Sequence, residues 1–342
     1  FEVVDIAFEV KKTIAEPFSV DFGAVFTSPD GEKLNIPGFY NGEKEWLLRF
    51  SANKTGVWTY ESYSGIKALD GNKGSLEISS GASGKHGAVQ VSKSDPKKFI
   101  YEDGSPYMLQ AFECDWLFAL DYDNPDATPK AEHLLALLAG NGINQIVTTL
   151  SSYDVRWEKD ELLKEHPEHE YGGLDQIFPF LGTNQDPDFS ALNITFFQRF
   201  DRMVSLMDQH EIVAHLMIYV WNKLVSWPDT ESAADNMYFD YIIKRYQAFP
   251  NVIWDVSKEA LNNPRCTEAY GLERIHRIDS LDAYDRLVTV HDFGFCKRNT
   301  DAVDFISTQT WSSTLYTNML DMYRDFKKPV FNIEHGGYEL SP

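Results

Sequence analysis

Residues 251–260 read NVIWDVSKEA. Val252, Ile253, Trp254 and Val256 leave a single polar interruption at Asp255. An apolar run without regular alternation is the pattern of a strand buried on both faces, as in a parallel sheet covered by helices. The run ends abruptly in Ser257-Lys258-Glu259. Charged residues at the C-terminal end of such a strand are where α/β folds place their chemistry.

The same grammar repeats on both sides. Upstream stand YMLQAFE (107–113), NQIVTTL (144–150) and VAHLMIYVW (213–221); downstream stand RLVTVH (286–291), AVDFISTQTW (302–311) and PVFNIE (329–334). Helical patterns lie between them. The first starts at Thr128-Pro129, with Thr128 as the expected cap, and stops at Gly140-Asn141-Gly142. Others cover 195–211, 233–248, 269–279 and 313–326. Seven strand–helix units predict a (β/α)₈ barrel over residues 97–342. A doubly wound sheet would advertise a Gly-rich phosphate loop, and none follows any of these strands. Only seven strands are counted, so the eighth is expected beyond Pro342, with this chain as part of a longer protein. The start at Phe1 is read in the same way, as a trimmed product.

Residues 1–92 read differently. VVDIAFEVKK (3–12) alternates, a Pro29-Asp30-Gly31 turn follows, and Trp46 and Trp58 stand at alternating positions as core candidates. Short strands at close turn spacing predict a β-sandwich, with 79–87 as a linker. A chain of 342 residues carries two domains on this reading.

Composition narrows the function. A net charge of −21 excludes nucleic acid and anionic membrane surfaces as partners. No apolar run is long enough to span a membrane. The three cysteines, Cys114, Cys266 and Cys296, form no metal-binding pair, and neither a metal nor a cofactor is expected. Asp121–Asp126 lacks the glycine and terminal glutamate of a calcium loop and reads as a solvated loop. His166, His169 and His210 read as exposed or structural.

The strand ends collect Glu113, Asp115 and Trp116; Thr148, Thr149 and Ser151; Tyr219, Trp221 and Asn222; Lys258 and Glu259; His291; Gln309 and Trp311; and Glu334 with His335. Carboxylates, amides and indoles suit a carbohydrate, with polar groups for hydroxyls and aromatic faces for C–H edges. Two carboxylates facing across a barrel mouth can cleave a glycosidic bond. Glu259 and Glu334 lie three strands apart and so face each other. Four of the contact candidates have a plain structural alternative: Trp221 and Trp311 as packing, His291 as a satisfied core histidine, His335 as a supporting partner. The stretch 151–193, with Tyr153, Trp157, Tyr171, Phe178 and Phe180, is expected to wall the cleft.

NVIWDVSKEA followed by KPVFNIEHGG (328–337) resembles the retaining (β/α)₈ glycoside hydrolases whose catalytic carboxylates follow strands four and seven. The stretch YEDGSPYMLQAFECDWLFAL (101–120) resembles the apiosidase-like family more closely. PGFYNGEKEWLLRFSANKTGVWTYESYSG (37–65) resembles the Ig-like domain of unknown function that precedes such barrels in bacterial polysaccharide-degrading proteins. The resemblance implies Glu259 as acid/base, Glu334 as nucleophile, and Asp115 and Trp116 at the substrate. It implies a retaining hydrolase acting on a plant, algal or microbial glycan, secreted, periplasmic or at the cell surface. Lys258 departs from it, since an Asn usually stands there. A catalytically inactive carbohydrate-binding barrel is the alternative, and an adhesion protein working through residues 1–92 is a third. Oligomeric state is left open.

Overall fold

The computed structural model describes residues 1–342 except 81–83, 116, 125, 153–158, 173–176, 222–223 and 335–342. Apart from a single helical turn at Pro17–Ser19, the N-terminal part is built of strands: β1 (Val3–Glu9), β2 (Phe22–Thr27), β3 (Lys33–Pro37), β4 (Phe39–Gly42), β5 (Glu45–Ser51), β6 (Gly56–Ser64) and β7 (Lys73–Ile78). These form two antiparallel sheets, ordered β1-β5-β4 and β3-β2-β6-β7. The sheets share one core. Phe26 of β2 stacks on Phe50 of β5 with ring centroids 4.3 Å apart, and Trp58 packs on Phe50 from β6. Trp46 and Trp58 are both buried there, as the alternation predicts.

Strand β5 has two buried faces, and its sequence EWLLRFS explains how. Trp46, Leu48 and Phe50 point into the core between the sheets. Leu47, Arg49 and Ser51 point the other way, into the rest of the chain. Arg49 is paired with Asp5 across the β1–β5 ladder and reaches Asp201 and Arg245 beyond it.

A short hairpin follows, β8 (Val89–Val91) with β9 (Phe99–Tyr101). Strand–helix alternation then begins: β10 (Ala111–Glu113), α1 (Pro129–Gly140), β11 (Gln145–Thr149), a second hairpin β12 (Phe180–Gly182) with β13 (Pro187–Leu192), α2 (Ile194–Gln209), β14 (Val213–Val220), α3 (Ala233–Tyr246), β15 (Val252–Lys258), α4 (Glu268–Leu281), β16 (Val288–His291), α5 (Phe293–Arg298), β17 (Ile306–Gln309), α6 (Leu315–Asp325) and β18 (Val330–Glu334). Strands β10-β11-β14-β15-β16 form one parallel sheet, and β17-β18 form another. Every residue of β14 and β15 is buried, as the apolar runs predict.

The two parallel sheets share an interior. Val147, Val213, Met217, Ile253, Phe305, Phe331 and Ile333 form one buried cluster drawn from both, and Val89 and Tyr107 close its end. Thr289 on β16 meets Ser307 on β17 at 2.8 Å. The helices pack on the outer side of the strands in a separate, larger core.

Three expectations need correction. The first strand is Ala111–Glu113, not 107–113, because Tyr107 turns into the interior core instead. Thr128 does not cap α1. The buried Asp121 carboxylate does, accepting from Lys130 N at 3.0 Å and Ala131 N at 2.9 Å, so the start of the acidic run is structural rather than solvated. Phe178 and Phe180 do not wall a cleft. Both are buried, Phe180 against Phe189 and Tyr238.

Candidate active site

Strand β15 runs regularly until Asp255, then bulges. Asp255 pairs with Thr289 of β16, whereas the next paired residue, Lys258, lies opposite His291. Two β15 residues thus face one on its neighbour, which turns the following side chain to the other face. Asp255 holds the bulge: Oδ1 accepts from Ser257 N at 3.1 Å and from His291 N at 2.9 Å, and Oδ2 meets His215 Nε2 at 2.9 Å. The result is an inward lysine, 4% exposed. Glu259 follows directly in the left-handed region, φ 48° and ψ 45°, with its N–H donating to His291 O at 3.0 Å. A non-glycine residue in this region is uncommon and carries strain, which concentrates at functional sites.

The Lys258 ammonium reaches across the interior. It donates to Glu113 at the end of β10, lies 3.2 Å from Asp115, and lies 2.9 Å from Glu334 at the end of β18. Side chains at the ends of three strands that are far apart in sequence therefore meet at one cation. The three carboxylates are 12–21% exposed, so each is mostly screened from water. One positive charge cannot satisfy three negative ones in such a place. Burial pushes the Glu113 carboxyl up to about 8, opposed by Lys258 and reinforced by Asp115 and Glu334. Burial alone would depress Lys258, but Asp115, Glu113 and Glu334 outweigh it and hold the ammonium well above its ordinary value. Glu113 is thus the carboxyl of the cluster that takes up a proton most readily, beside a charged Lys258.

His291 completes the inner wall. It is 1% exposed, and its Nε2 lies 3.7 Å from Glu334 Oε2. Burial, then the Lys258 charge, hold its imidazole well below the usual value, so it is neutral. The Asp115 backbone oxygen accepts from Thr149 Oγ1 at 2.5 Å, which ties the loop after β10 to the end of β11. A small cleft beside Asp115 is lined by Thr149, Ser151 and Ser152.

The sequence candidates divide clearly. Asp115, Lys258, His291 and Glu334 come together, and Gln309 stands opposite Glu334 in the β17–β18 ladder, at the same strand end. Glu259 stands next to Lys258 at the same strand end. Tyr219 is not a contact residue: it is fully buried, its hydroxyl donates to Asp235 of α3, and it packs against Tyr238 and Phe239. Trp221 stacks on Tyr219 with centroids 5.0 Å apart and carries the Arg265 guanidinium over its ring, so it is packing rather than an open platform. Trp311 is 65% exposed, away from that packing. Trp116, Asn222 and His335 lie outside the described residues, as do Tyr153 and Trp157. Glu113, named among the strand ends but given no role there, is the further member of the cluster. Its signal was available: it ends a strand that Asp115 follows within two residues.

The geometry can be set beside known proteins. Residues 93–342 match the apiosidase-like catalytic domain, and residues 1–65 match DUF5060, a domain of unknown function. No curated protein matches the chain. Among solved structures, a Bacteroides vulgatus ATCC 8482 protein described provisionally as a glycoside hydrolase superposes with a TM-score of 0.80 at 22% identity, over 99% of this chain and 64% of that one. The chain thus spans less than two thirds of that protein. A glycoside hydrolase family 5 mannosidase from Rhizomucor miehei gives a TM-score of 0.52 at 15% identity, over 73% of each chain. A mutant of it in complex with mannosyl-fructose gives the same values. These likenesses show a shared mixed α/β fold. The family match extends over most of the sequence, and the chain belongs to the apiosidase-like family.

Proposed function

We propose that this protein is a retaining glycoside hydrolase, built as a (β/α)₈ barrel over residues 97–342 behind an Ig-like sandwich over residues 1–92. Glu334 is its nucleophile and Glu259 its acid/base. The observation that carries the reading is the mostly buried Glu334 carboxylate at the end of β18, 2.9 Å from the Lys258 ammonium. A nucleophilic carboxylate must be held in one orientation in a site that excludes water, and the adjacent Lys258 ammonium holds Glu334 so. The strained backbone at Glu259, one residue beyond Lys258, supports a functional placement for the second carboxylate.

In this mechanism Glu334 attacks the anomeric carbon while Glu259 protonates the departing glycosidic oxygen. A glycosyl ester forms on Glu334. Glu259 then takes a proton from water, the water oxygen bonds to the anomeric carbon, and Glu334 leaves as a carboxylate. Lys258 holds Glu334 in place through both steps. Lys258 is already surrounded by three carboxylates, so a neutral sugar suits the site better than an anionic one. The substrate class is a plant, algal or microbial glycan, and the working location is outside the cytoplasm.

A panel of aryl glycosides, mannosides included, and plant and algal polysaccharides tests the activity. Glu334→Gln abolishes turnover on any substrate the wild type cleaves, with the fold intact by circular dichroism; retained turnover sinks the assignment. Glu259→Ala slows substrates with poor leaving groups most, and added azide restores cleavage as a glycosyl azide. NMR of the first-formed anomer reads retention directly. One observation favours a second reading. A cation 2.9 Å from Glu334 also weakens it as a nucleophile, which fits a carbohydrate-binding protein without turnover. Calorimetric binding of an oligosaccharide without any release of reducing sugar would select that reading.

A further inference from the structure

We propose that His133, Glu168 and His169 form a divalent metal site of the zinc type on the outer side of α1. The donor atoms of these three side chains all lie within 4.8 Å of one another. Among the described residues, no other group of three or more histidines, cysteines or carboxylates converges in this way. The chain carries 52 acidic residues, so crowding of charge alone does not produce such a group.

The elements explain the convergence. His133 lies in the second turn of α1, and Glu168 and His169 lie in the single helical turn Pro167–His169 that packs against it. Lys130 Nζ donates to Glu170 O at 3.0 Å and fastens that turn to the helix. Lys159 sits over the Tyr171 ring, 4.6 Å from its centroid, and closes the loop that presents the turn. The His133 and His169 rings are 5.8 Å apart between centroids. His169 Nε2 is 3.9 Å from Glu168 Oε1. His166 Nδ1 lies 3.1 Å from the same oxygen and fixes the carboxylate's orientation, as outer partners of metal ligands do.

The donor set names the ion. Two imidazoles and one carboxylate suit zinc or a neighbouring first-row cation and do not suit calcium or magnesium, which take oxygen ligands. Zinc holds such donors at about 2.0–2.2 Å, which brings them to roughly 3.5 Å from one another. His133 is exposed and Glu168 and His169 are half-buried, so rotation of the side chains closes the difference. Three protein ligands leave a coordination position for water. The ion cross-links the 159–171 loop to α1, the helix that precedes β11 and the Thr149–Asp115 contact.

Zinc titration of the chelator-treated full chain, followed by calorimetry, tests this. The expected result is one saturable site per chain, a raised Tm, and no competition by magnesium. His133→Ala and His169→Ala each weaken binding about tenfold or more, His166→Ala weakens it less, and His276→Ala leaves it unchanged. Zinc also slows tryptic cleavage after Lys159 and Lys164 in the wild type but not in His133→Ala. His133→Gln replaces the alanine variant should that variant unfold. Absence of binding by the wild type overturns the proposal, and so does unchanged affinity in both ligand variants.

Discussion

Two charge clusters among the described residues, each centred on a buried cation, are built on opposite principles. The cluster between the N-terminal sheets and the helices contains Arg49 and Arg245 with Asp5 and Asp201, two charges of each sign. The cluster in the candidate active site contains Lys258 with Glu113, Asp115 and Glu334, one against three. In the first, burial raises the Asp201 carboxyl, yet Arg245 and Arg49 outweigh burial and hold it below its ordinary value. In the second, burial wins at Glu113 and drives it to about 8. A balanced cluster fixes every charge, and that is what an interface between two parts of a chain needs. An unbalanced one leaves a proton to be placed, and perturbed groups of that kind gather at functional sites.

The largest expected effect is at the centre of the unbalanced cluster. Lys258→Met leaves three carboxylates without their cation. It lowers kcat by about 10²–10³ on the best substrate found, the scale of a lost preorganised charge contact. It also costs about 3–5 kcal/mol in urea unfolding, as the loss of one partner of a buried pair does. Next comes Asp201→Asn, which strands Arg245 and leaves Arg49 with Asp5 alone. It costs about 3 kcal/mol at pH 7 and leaves kcat unchanged. Loss of activity without loss of stability in that variant would mean that the two clusters are not separate devices.

The sharpest contrast is Glu113→Gln, the same carboxyl-to-amide change with the opposite expected sign. A carboxyl raised to about 8 in the folded chain keeps its proton where the unfolded chain has lost it. Between about pH 4.5 and 8 the folded state therefore binds more protons, and wild-type stability falls as pH rises through that window. Glutamine removes the titration. Glu113→Gln matches the wild type near pH 4 and is the more stable of the two at pH 9. Asp201 behaves inversely: its contribution is present above the unfolded carboxylate value and is lost as pH falls. Unfolding midpoints of the two variants from about pH 2 to pH 9 check both signs in one series, Asp201 below about pH 4 and Glu113 above it.

Half of this contrast can be read in the sequence. Lys258 and Glu334 end long apolar runs, and a charge at the end of a doubly buried strand announces itself. The direction of Lys258 cannot be read, because it depends on the bulge opposite His291, a pairing between residues on different strands. Tyr219 and Trp221 fail for a related reason. Their residue types suit a sugar, but helix α3 claims Tyr219 through Asp235, and Trp221 stacks on it. Asp121 caps α1 from eight residues ahead of Pro129, beyond the reach of a local capping rule. The hairpins β8–β9 and β12–β13 include strands of three residues, too short to show a period. The Arg49–Asp201 pair joins residues 152 positions apart, and nothing local marks either as a partner.

The smallest expected effect tests whether charge balance is the right description of the interface cluster. Arg49 donates from Nε and Nη2 to both Asp5 oxygens at 2.8 Å, from Nη2 to Asp201 at 3.0 Å, and from Nη1 to Arg245 O at 3.0 Å. Its guanidinium also lies over Phe39 and Phe249. Arg49→Lys keeps the charge but loses the planar fork and the ring stacking. Asp201 retains Arg245, which meets both of its oxygens at 2.6–2.7 Å, so no buried charge is stranded. The expected cost is therefore only about 1 kcal/mol, the scale of a net hydrogen bond, measured by urea unfolding at pH 7. A cost equal to that of Asp201→Asn would place the stability in the geometry of the guanidinium. The two clusters would then differ in hydrogen-bond number, and the count of charges would explain neither.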